Sequence, residues 1–378
     1  MRLIEQTFLA FAGLLLAIGL LMVFSASMTS EPSLQDEAFL RRQLASMAVA
    51  LLAGLTGAML PAACWRRAAP WMLLAVMALL LGTLMPTIGT RINGARRWLR
   101  VGPFNVQPSE LAKIVLPLFV CRMAATGGWR GDGMALLGIV VTLGLVVAEP
   151  DLGTTLFLAL TSGVALWLSG WPLKRFVIAA GLGLPVVASI GVLRPYQLQR
   201  LQGFLASWHD VDAASYQVKQ SLVAIGSGGV FGSGLGNGQQ KLSFLPEANT
   251  DFVYAVIGEE LGLLGTLGVL MLFVGLYLTG LRLIASLRRG SFEHSASLTL
   301  LTGLVLQAGL NMAVVVALAP PKGISLPLVS YGGSNLVVSA ATLGLVLSFA
   351  RSTPAPAQRT SIADAGDVID CRTPSPLA

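Results

Sequence analysis

The stretch that decides the fold is GSGLGNGQQKLSFLPEANTDFVYAVIGEE, residues 232–260. Glycine-rich backbone, the cation Lys241 and the carboxylates of Glu247 and Asp251 stand where a polar segment meets a long apolar run. Ionisable groups at such a boundary tend to face a wet cavity, so this stretch is the first place to look for chemistry. A carboxylate beside a cation suits a general base next to an anionic leaving group. Capping of the helix that follows Asp251 is the alternative.

Two further carboxylates, Glu259 and Glu260, lie inside the apolar run. In helical geometry Glu259 falls two turns beyond Asp251 on nearly the same face. Carboxylates are costly near lipid unless they are satisfied, so both are expected to bond to other helices or to line a cavity.

The composition places the chain among integral membrane proteins, because 54% of the residues are hydrophobic and only 11% are charged. The net charge of +7 indicates anionic lipid or an anionic substrate rather than nucleic acid, since no soluble basic domain is present to bind it. Three widely separated cysteines give no metal or disulfide pattern. Walker, Rossmann and Ser-His-Asp signatures are missing from the sequence, which argues against nucleotide hydrolysis and serine hydrolysis.

Apolar runs of spanning length predict an all-α integral membrane protein with ten transmembrane helices. The runs lie near 8–28, 43–62, 70–87, 110–126, 134–148, 152–170, 174–193, 252–286, 296–319 and 334–350. The first is interpreted as an uncleaved span. The eighth is longer than a bilayer requires, which predicts a recessed or interfacial helix over 251–260 before the span. A long extracytoplasmic loop, about 194–250, joins the seventh and eighth helices.

An even number of spans places both termini on one side, and the positive-inside rule makes that side cytoplasmic. The short connections on that side carry Arg66, Arg67, Arg122, Arg130, Lys174, Arg175, Arg282, Arg288 and Arg289. Residues 1–351 form the membrane domain in this interpretation. Residues 352–378 are rich in Pro, Ser, Thr and Asp, which predicts a disordered cytoplasmic tail.

The opposite face is also basic, which works against the orientation rule. Its cations are Arg91, Arg96, Arg97, Arg100, Arg194, Arg200, Lys219, Lys241 and Lys322. The simplest function for them is to hold phosphate groups presented at the outer leaflet. Nonspecific headgroup binding or internal ion pairing is the alternative.

Three more polar clusters stand at predicted outer ends of spans. Glu110 and Lys113 share one face at a helix start, where capping and a weak ion pair compete with a role in a cavity. Asp151 sits in a tight turn and either caps the next helix or orients a basic neighbour or metal ion. Pro and Gly keep residues 320–334 irregular, and main-chain N–H groups freed in this way can cradle an anion.

At these clusters the sequence resembles the SEDS family (shape, elongation, division and sporulation), over essentially all ten spans. The matching motifs are Asn93–Trp98, Gln107–Lys113, Glu149–Gly153, Tyr216–Ser221, Gly234–Gln240, Leu245–Phe252, Gly258–Gly262 and Leu326–Ser334. The segment from Ala248 through Gly262 is more similar to the FtsW branch than to the RodA branch. Asn249 and Asn335 depart from the His and Ser that are common in the family.

The resemblance implies a peptidoglycan glycosyltransferase that polymerises lipid II at the outer face of the cytoplasmic (inner) membrane, in cell division. It implies Asp251 as the general base that deprotonates the acceptor hydroxyl, with inversion at the donor's anomeric carbon. Arg97, Lys113, Lys241 and Lys322 would neutralise the pyrophosphate, and Glu110 and Asp151 would orient them or a divalent cation, Mg or Mn. Gln107, Gln220, Glu247 and Ser330 are the remaining substrate-binding candidates.

The implied partners are lipid II, a class B penicillin-binding protein transpeptidase, other divisome proteins and membrane lipid. A lipid II flippase is the main alternative, because outer cationic pockets and broken helices also suit translocation. It requires charge along a path to the cytoplasmic half, whereas the ionisable residues of the spans cluster at outer ends. The same polymerase acting in elongation, and a scaffold that recruits the transpeptidase, are further alternatives.

Overall fold

The computed structural model describes residues 2–27, 34–92, 95–102, 104–179, 181, 195–206, 214–240 and 245–352. The helices are α1 Arg2–Ser27, α2 Leu34–Met59, α3 Ala62–Leu84, α4 Pro108–Thr126, α5 Gly128–Ala148, α6 Leu152–Leu168, α7 Pro195–Ala206, α8 Tyr216–Gly228, α9 Val253–Ile284, α10 Phe292–Val315 and α11 Gly333–Ala350. The strands are β1 Gly89–Ile92, β2 Ala95–Val101 and β3 Phe104–Val106. The predicted tail lies outside the described residues from 353 onward.

The described part is mostly helical, and seven of its helices are long and apolar enough to cross a membrane: α1, α2 from Arg41, α3, α5, α9, α10 and α11. The chain is therefore a multi-pass membrane protein. α6 is apolar but shorter, with 17 residues. The predicted seventh span falls mainly outside the described residues, although residues 173–179 are helical. The count of ten and the limits of the long loop stay predictions.

α4 lies at the centre of the bundle, where it packs against α3, α5, α6, α10 and α11. Every residue from Ile114 to Cys121 is buried. The helix begins with Pro108 at its first position, where the missing N–H is no loss. Its first two turns carry Glu110 and Lys113 into the interior of the bundle.

The all-α assignment was wrong in one place, because residues 89–106 form a three-stranded antiparallel sheet in the order β1-β2-β3. Leu99 pairs with Gly89 on one side and with Val106 on the other. The arginines of this segment gave it the composition of a polar loop. In β2, however, successive side chains alternate between two faces, and Arg97 shares its face with the buried Leu99.

α9 is broken at Gly262, whose φ of 67° and ψ of −161° are not helical. The residues before the break, from Val253 to Glu260, are all buried. This agrees with the predicted separate segment ahead of the span. Such a backbone conformation is essentially restricted to glycine.

The loop between Gly229 and Gly234 replaces the helical hydrogen bonds that the break removes. Ser233 N donates to Glu259 O at 2.9 Å, and Gly234 N donates to Glu260 O at 3.0 Å. Beyond the break, Leu263 N donates to Gly229 O at 2.9 Å. Main-chain groups of both half-helices are thus paired inside the protein, as a segment at membrane depth requires.

Replacement of Gly262 by alanine is expected to destabilise the protein. The new Cβ would collide with main-chain atoms of Val230 and Gly232, in a backbone conformation that costs a non-glycine residue about 3 kcal/mol. Thermal unfolding in detergent, followed by tryptophan fluorescence, should show a clearly lower midpoint. Gly268→Ala is the matched control, because an alanine Cβ meets no atom within 4 Å there and alanine favours a helix. Equal midpoints for the two variants would contradict the role given to the break.

Candidate active site

Asp251 lies at the end of the bundle where the segment 245–252 meets the segment 320–332. It directly precedes Phe252, the N-cap residue of α9. Its main-chain N–H donates to Glu247 O at 3.1 Å, and its main-chain oxygen accepts from Asn311 Nδ2 at 2.7 Å. Tyr331 N donates to Asn249 O at 2.9 Å and joins the two segments directly. Asp251 is therefore anchored through its backbone on two sides.

The carboxylate of Asp251 lies against Gly323. A Cβ at position 323 would be 3.0 Å from Asp251 Oδ2, so the absence of a side chain there makes the close approach possible. The residue that precedes Gly323 in the segment 320–332 is Lys322.

The Lys322 side chain runs beside the α5–α6 turn. A Cβ at Gly153 would lie 3.7 Å from Lys322 Cδ and 3.6 Å from Asp151 Oδ1. Burial lowers the pKa of Lys322, and the negative charge of Asp151 acts in the opposite direction. Among the described residues, no carboxylate forms an ion pair with Lys322 within 4.0 Å. This amine is the predicted cation best placed to receive an anionic ligand.

Asp151 is the N-cap residue of α6. Its Oδ1 accepts from Thr154 N at 3.0 Å and its Oδ2 accepts from Thr154 Oγ1 at 2.9 Å. The capping interpretation of the sequence is therefore correct for Asp151. The same carboxylate also faces Arg97 Nη1 at 3.6 Å, so capping and electrostatic contact with a basic neighbour occur together.

Arg97 connects the three-stranded sheet to the α5–α6 turn through hydrogen bonds. Its Nε donates to Glu149 O at 3.1 Å and its Nη2 donates to Pro150 O at 2.5 Å. These carbonyls lie at the C-terminal end of α5, where a cation is favoured by the helix dipole. Much of the guanidinium is thus occupied by the protein itself.

Glu149 is completely buried beneath this turn. The pKa of its carboxyl is raised from the ordinary 4.5 to about 7: burial is the largest cause and the charge of Asp151 adds to it, while the hydrogen bond with Thr83 and the charge of Arg97 lower it. Thr83 Oγ1 contacts both Glu149 Oε1 and the Leu80 oxygen, yet a hydroxyl has one proton to donate. A protonated Glu149 resolves this, because it can donate to Thr83 while Thr83 donates to Leu80.

Glu110, Lys113 and Gln307 form a second polar group deeper in the bundle. Lys113 Nζ donates to Glu110 Oε1 at 2.6 Å and to Gln307 Oε1 at 3.0 Å. The ammonium also lies 5.3 Å from the centre of the Phe157 ring, within reach of a cation–π interaction. The predicted pair is therefore real and largely desolvated, with 9% of each side chain exposed.

A narrow cleft with a cavity volume of about 20 Å³ continues from this group between α4, α6, α10 and α11. Lys113 and Gln307 line it together with Phe157, Thr161, Thr299, Leu300, Gly303, Leu304, Pro327, Val338, Ser339 and Thr342. Below Lys113 the polar part of the lining is made of hydroxyl groups rather than charges.

The remaining candidates occupy several positions around this end of the bundle. Gln107 N donates to Ser334 Oγ at 3.1 Å and joins the start of α4 to α11. Ser330 is buried, and its Oγ accepts from Leu326 N at 2.8 Å. Glu247 is exposed and accepts from Thr250 Oγ1 at 2.9 Å. Gln220 is partly buried on α8, and Lys241 lies outside the described residues.

Glu259 and Glu260 are satisfied by protein groups, as the sequence predicted. Glu259 Oε1 accepts from Gln239 N at 2.6 Å and from Gln240 N at 3.1 Å. Glu260 accepts from Ser25 Oγ at 2.7 Å and ties the break in α9 to α1. These carboxylates hold the glycine-rich loop against the bundle.

The described residues contain no group of three Asp, Glu, His or Cys side chains that could hold a metal ion. Both oxygens of Asp151 are already engaged by Thr154. A divalent cation at this end of the bundle would therefore have to take most of its ligands from substrate phosphates and water.

Comparison with known proteins shows to which family the chain belongs. A model of the FtsW, RodA and SpoVE family, described as cell cycle proteins, matches residues 5–354. The chain belongs to this family. Probable peptidoglycan glycosyltransferase FtsW from Thioalkalivibrio sp. (strain K90mix) is 38% identical over 370 residues, 95% of this chain and 92% of its own length. The protein of the same description from Legionella pneumophila is 39% identical over 348 residues, 88% of this chain and 87% of its own length.

Two solved structures show the same architecture. A chain from a peptidoglycan synthase complex superposes with a TM-score of 0.74 at 26% identity, covering 91% of this chain and 96% of its own. Thermus thermophilus RodA superposes with a TM-score of 0.66 at 28% identity, covering 91% of this chain and 95% of its own. The resemblance drawn from the sequence motifs is thereby confirmed.

The sequence did not single out four residues that shape this end of the bundle: Glu149, Gln307, Asn311 and Gly323. A usable signal existed for two of them. Gln307 and Asn311 are amides four residues apart inside an apolar run, and polar side chains there usually have a specific partner. Glu149 was visible as one of two carboxylates in the turn before α6, with capping as the expected role, but its burial under the turn was not predicted.

The protonated state of Glu149 predicts a specific dependence of stability on pH. Between about pH 4.5 and 7, the folded protein holds a proton that the unfolded chain has already released. The contribution of Glu149 to the free energy of unfolding is therefore complete below about pH 4.5 and is lost as the pH rises through 7. Glu149→Gln cannot ionise, so its unfolding midpoint should fall less across this range. The control is Glu5→Gln, which replaces a carboxyl in the first turn of α1 that accepts a hydrogen bond from Arg351. This variant should keep the wild-type dependence of the unfolding midpoint on pH. Parallel curves for wild type and Glu149→Gln would refute the assignment.

Proposed function

We propose that this chain is a peptidoglycan glycosyltransferase that polymerises lipid II into glycan strands during septal wall synthesis. The observation that carries the proposal is the approach of the Asp251 carboxylate to the Lys322–Gly323 segment, in a member of the FtsW, RodA and SpoVE family. A base and a cation at one end of a membrane bundle suit a reaction whose leaving group is a lipid pyrophosphate.

In the proposed reaction, Asp251 takes the proton of the acceptor sugar hydroxyl as its oxygen attacks the anomeric carbon of the donor. The new C–O bond forms on the face opposite the leaving group, so the configuration inverts. The bond between the anomeric carbon and the phosphate oxygen breaks, and its electron pair leaves with the pyrophosphate. Anchoring of Asp251 through Glu247 and Asn311 keeps the carboxylate in place for this proton transfer.

Lys322 is the proposed cation for the departing pyrophosphate. It is partly buried, so its charge acts through a medium less polar than water, and Asp151 keeps it oriented. Arg97 supports this arrangement by holding the turn that carries Asp151. Lys113 and Glu110 are proposed to contact the substrate from deeper in the bundle. The remaining proposed substrate contacts are Lys241, Gln107, Gln220, Glu247 and Ser330.

The proposed topology has ten spans over residues 1–351, both termini in the cytoplasm and a cytoplasmic tail over 352–378. The active site then faces the periplasm or cell exterior from the cytoplasmic membrane. The Lys and Arg residues that flank the spans in the short loops opposite the site support this orientation. The proposed extracytoplasmic loop spans about 194–250.

A class B penicillin-binding protein is the proposed partner, with other divisome proteins around the pair. Support comes from the structurally similar chain, which belongs to a peptidoglycan synthase complex that coordinates polymerization and crosslinking. The curated relatives at 38% and 39% identity are described as FtsW, which favours a role in division over the elongation role of RodA.

A lipid II flippase is the second candidate, because the cleft below Lys113 runs into the bundle between four helices. Its cavity volume of about 20 Å³ has room for about one water molecule, far less than a disaccharide with its peptide needs. Its polar lining below Lys113 also lacks the charges that a phosphate pathway would use. Both features favour chemistry at one face.

Asp251→Asn should abolish glycan-strand formation from labelled lipid II by the purified chain with its transpeptidase partner. The amide keeps the volume of the carboxylate but cannot accept the proton, which should slow the reaction about 100- to 10,000-fold. Asp132→Asn, which removes an ion pair with Arg175, is the control and should retain activity. Equal polymer from wild type and Asp251→Asn would exclude Asp251 as the base. Lipid transport without polymer from either would favour the flippase.

Lys322→Gln should lower kcat about 100- to 1,000-fold, because the charge on the pyrophosphate develops as the bond breaks. Arg130→Gln removes a cation near the start of α5, at the end away from the turn with Asp151, and should leave kcat unchanged. Kinetics on lipid II with both variants compare the two sites directly. A normal kcat for Lys322→Gln would indicate that other cations neutralise the pyrophosphate.

A further inference from the structure

Two buried amide side chains, Gln307 and Asn311, lie one helical turn apart on the same face of α10. Both use their NH₂ groups on the segment 320–332. Asn311 Nδ2 donates to Ile324 O at 2.6 Å, and Gln307 Nε2 donates to the next carbonyl, Ser325 O, at 2.9 Å. The helix therefore holds two consecutive peptide groups of an otherwise irregular segment.

Asn311 joins this segment to the proposed base. The second acceptor of its Nδ2 is the main-chain oxygen of Asp251 at 2.7 Å. Because both acceptors are carbonyl oxygens, the amide must present its NH₂ group to them, so its orientation is fixed. One side chain thus sets the distance between the backbone of Asp251 and the backbone that follows Lys322 and Gly323.

Gln307 extends the same connection toward the inner cation. Its Oε1 accepts from Lys113 Nζ at 3.0 Å, and its NH₂ group has Asn335 Oδ1 as a second acceptor at 3.1 Å. A reversed amide would point its hydrogens at an ammonium group, so this orientation is fixed as well. The Glu110–Lys113 pair and the segment 320–332 are therefore bonded to the same side chain.

We propose that Asn311 and Gln307 are positioning residues for glycosyl transfer, which hold the Lys322–Gly323 segment against Asp251. This inference rests on the proposed function, since it gives these amides a role in the same site. They do not touch the reacting atoms. Asn311 fixes the spacing of base and cation, and Gln307 fixes the same segment relative to Lys113.

A purely structural role is the competing explanation, because removing the donors of buried carbonyls destabilises the folded protein. Such a loss lowers the amount of folded enzyme but leaves the turnover of each folded molecule unchanged. A positioning role instead lowers kcat with little effect on KM, since small displacements of reacting groups reduce rates steeply.

The test compares Asn311→Leu with wild type in the complex with the transpeptidase, with activity expressed per folded molecule. Asn311→Leu keeps the volume and removes both donors. The expected result is a kcat about 10- to 100-fold lower with KM within about twofold. Where this variant does not fold, Asn311→Asp keeps size and polarity and removes the same donors. Ser295→Ala removes a bond from the other end of α10 to Leu168 O, and should behave as wild type.

Hydrogen–deuterium exchange of residues 247–252 and 320–332 provides a readout that does not depend on activity. Exchange in both segments should become faster in Asn311→Leu and stay unchanged in Ser295→Ala. An unchanged kcat, or unchanged exchange in both segments, would overturn the positioning role. Wild type that forms no polymer would instead count against the proposed function, while the exchange result would still decide whether Asn311 joins the two segments.

Discussion

The pairing of main-chain groups at the break in α9 is the constraint on which the rest of the structure depends. A helix interrupted at membrane depth leaves N–H and C=O groups that lipid cannot satisfy. The loop from Gly229 to Gly234 supplies their partners, and the carboxylates of Glu259 and Glu260 bind the neighbouring loop and α1. The break therefore allows the first part of α9 to point into the bundle. In this orientation Asp251, just before α9, lies against the segment 320–332.

At the same end of the bundle, the predicted cations differ in how far protein groups already occupy them. Arg97 is engaged with the carbonyls of Glu149 and Pro150, and Lys113 is engaged with Glu110 and Gln307. Lys322 has Asp151 nearby but no ion pair within the described part of the chain. Among these three cations, an incoming pyrophosphate would thus compete least with the protein at Lys322.

The sequence predicted features that depend on local composition, and it missed those that depend on distant contacts. Nine of the ten predicted apolar runs overlap described helices, whereas α7 and α8 lie in the segment predicted as a loop. Carboxylates within a run correctly indicated internal partners for Glu259 and Glu260. The arginines of β2 suggested a loop because their alternation becomes meaningful only beside β1 and β3. The approach of Gly323 to Asp251 and the bonds of Asn311 join residues far apart in the chain, which no local pattern encodes.

The two departures from the family pattern fit this site for different reasons. The main-chain oxygen of Asn249 accepts a hydrogen bond from Tyr331 N, a contact that any residue can make. An asparagine in place of histidine therefore preserves this hydrogen bond between the segments 245–252 and 320–332. Asn335 makes its contact through its side chain, because its Oδ1 accepts from Gln307 Nε2 at 3.1 Å and from Ser339 Oγ at 3.4 Å. A serine hydroxyl is shorter and would reach Gln307 less easily from the same backbone position. In this chain the longer amide therefore strengthens the orientation of Gln307, and through it the placement of Lys113 relative to the segment that carries Lys322.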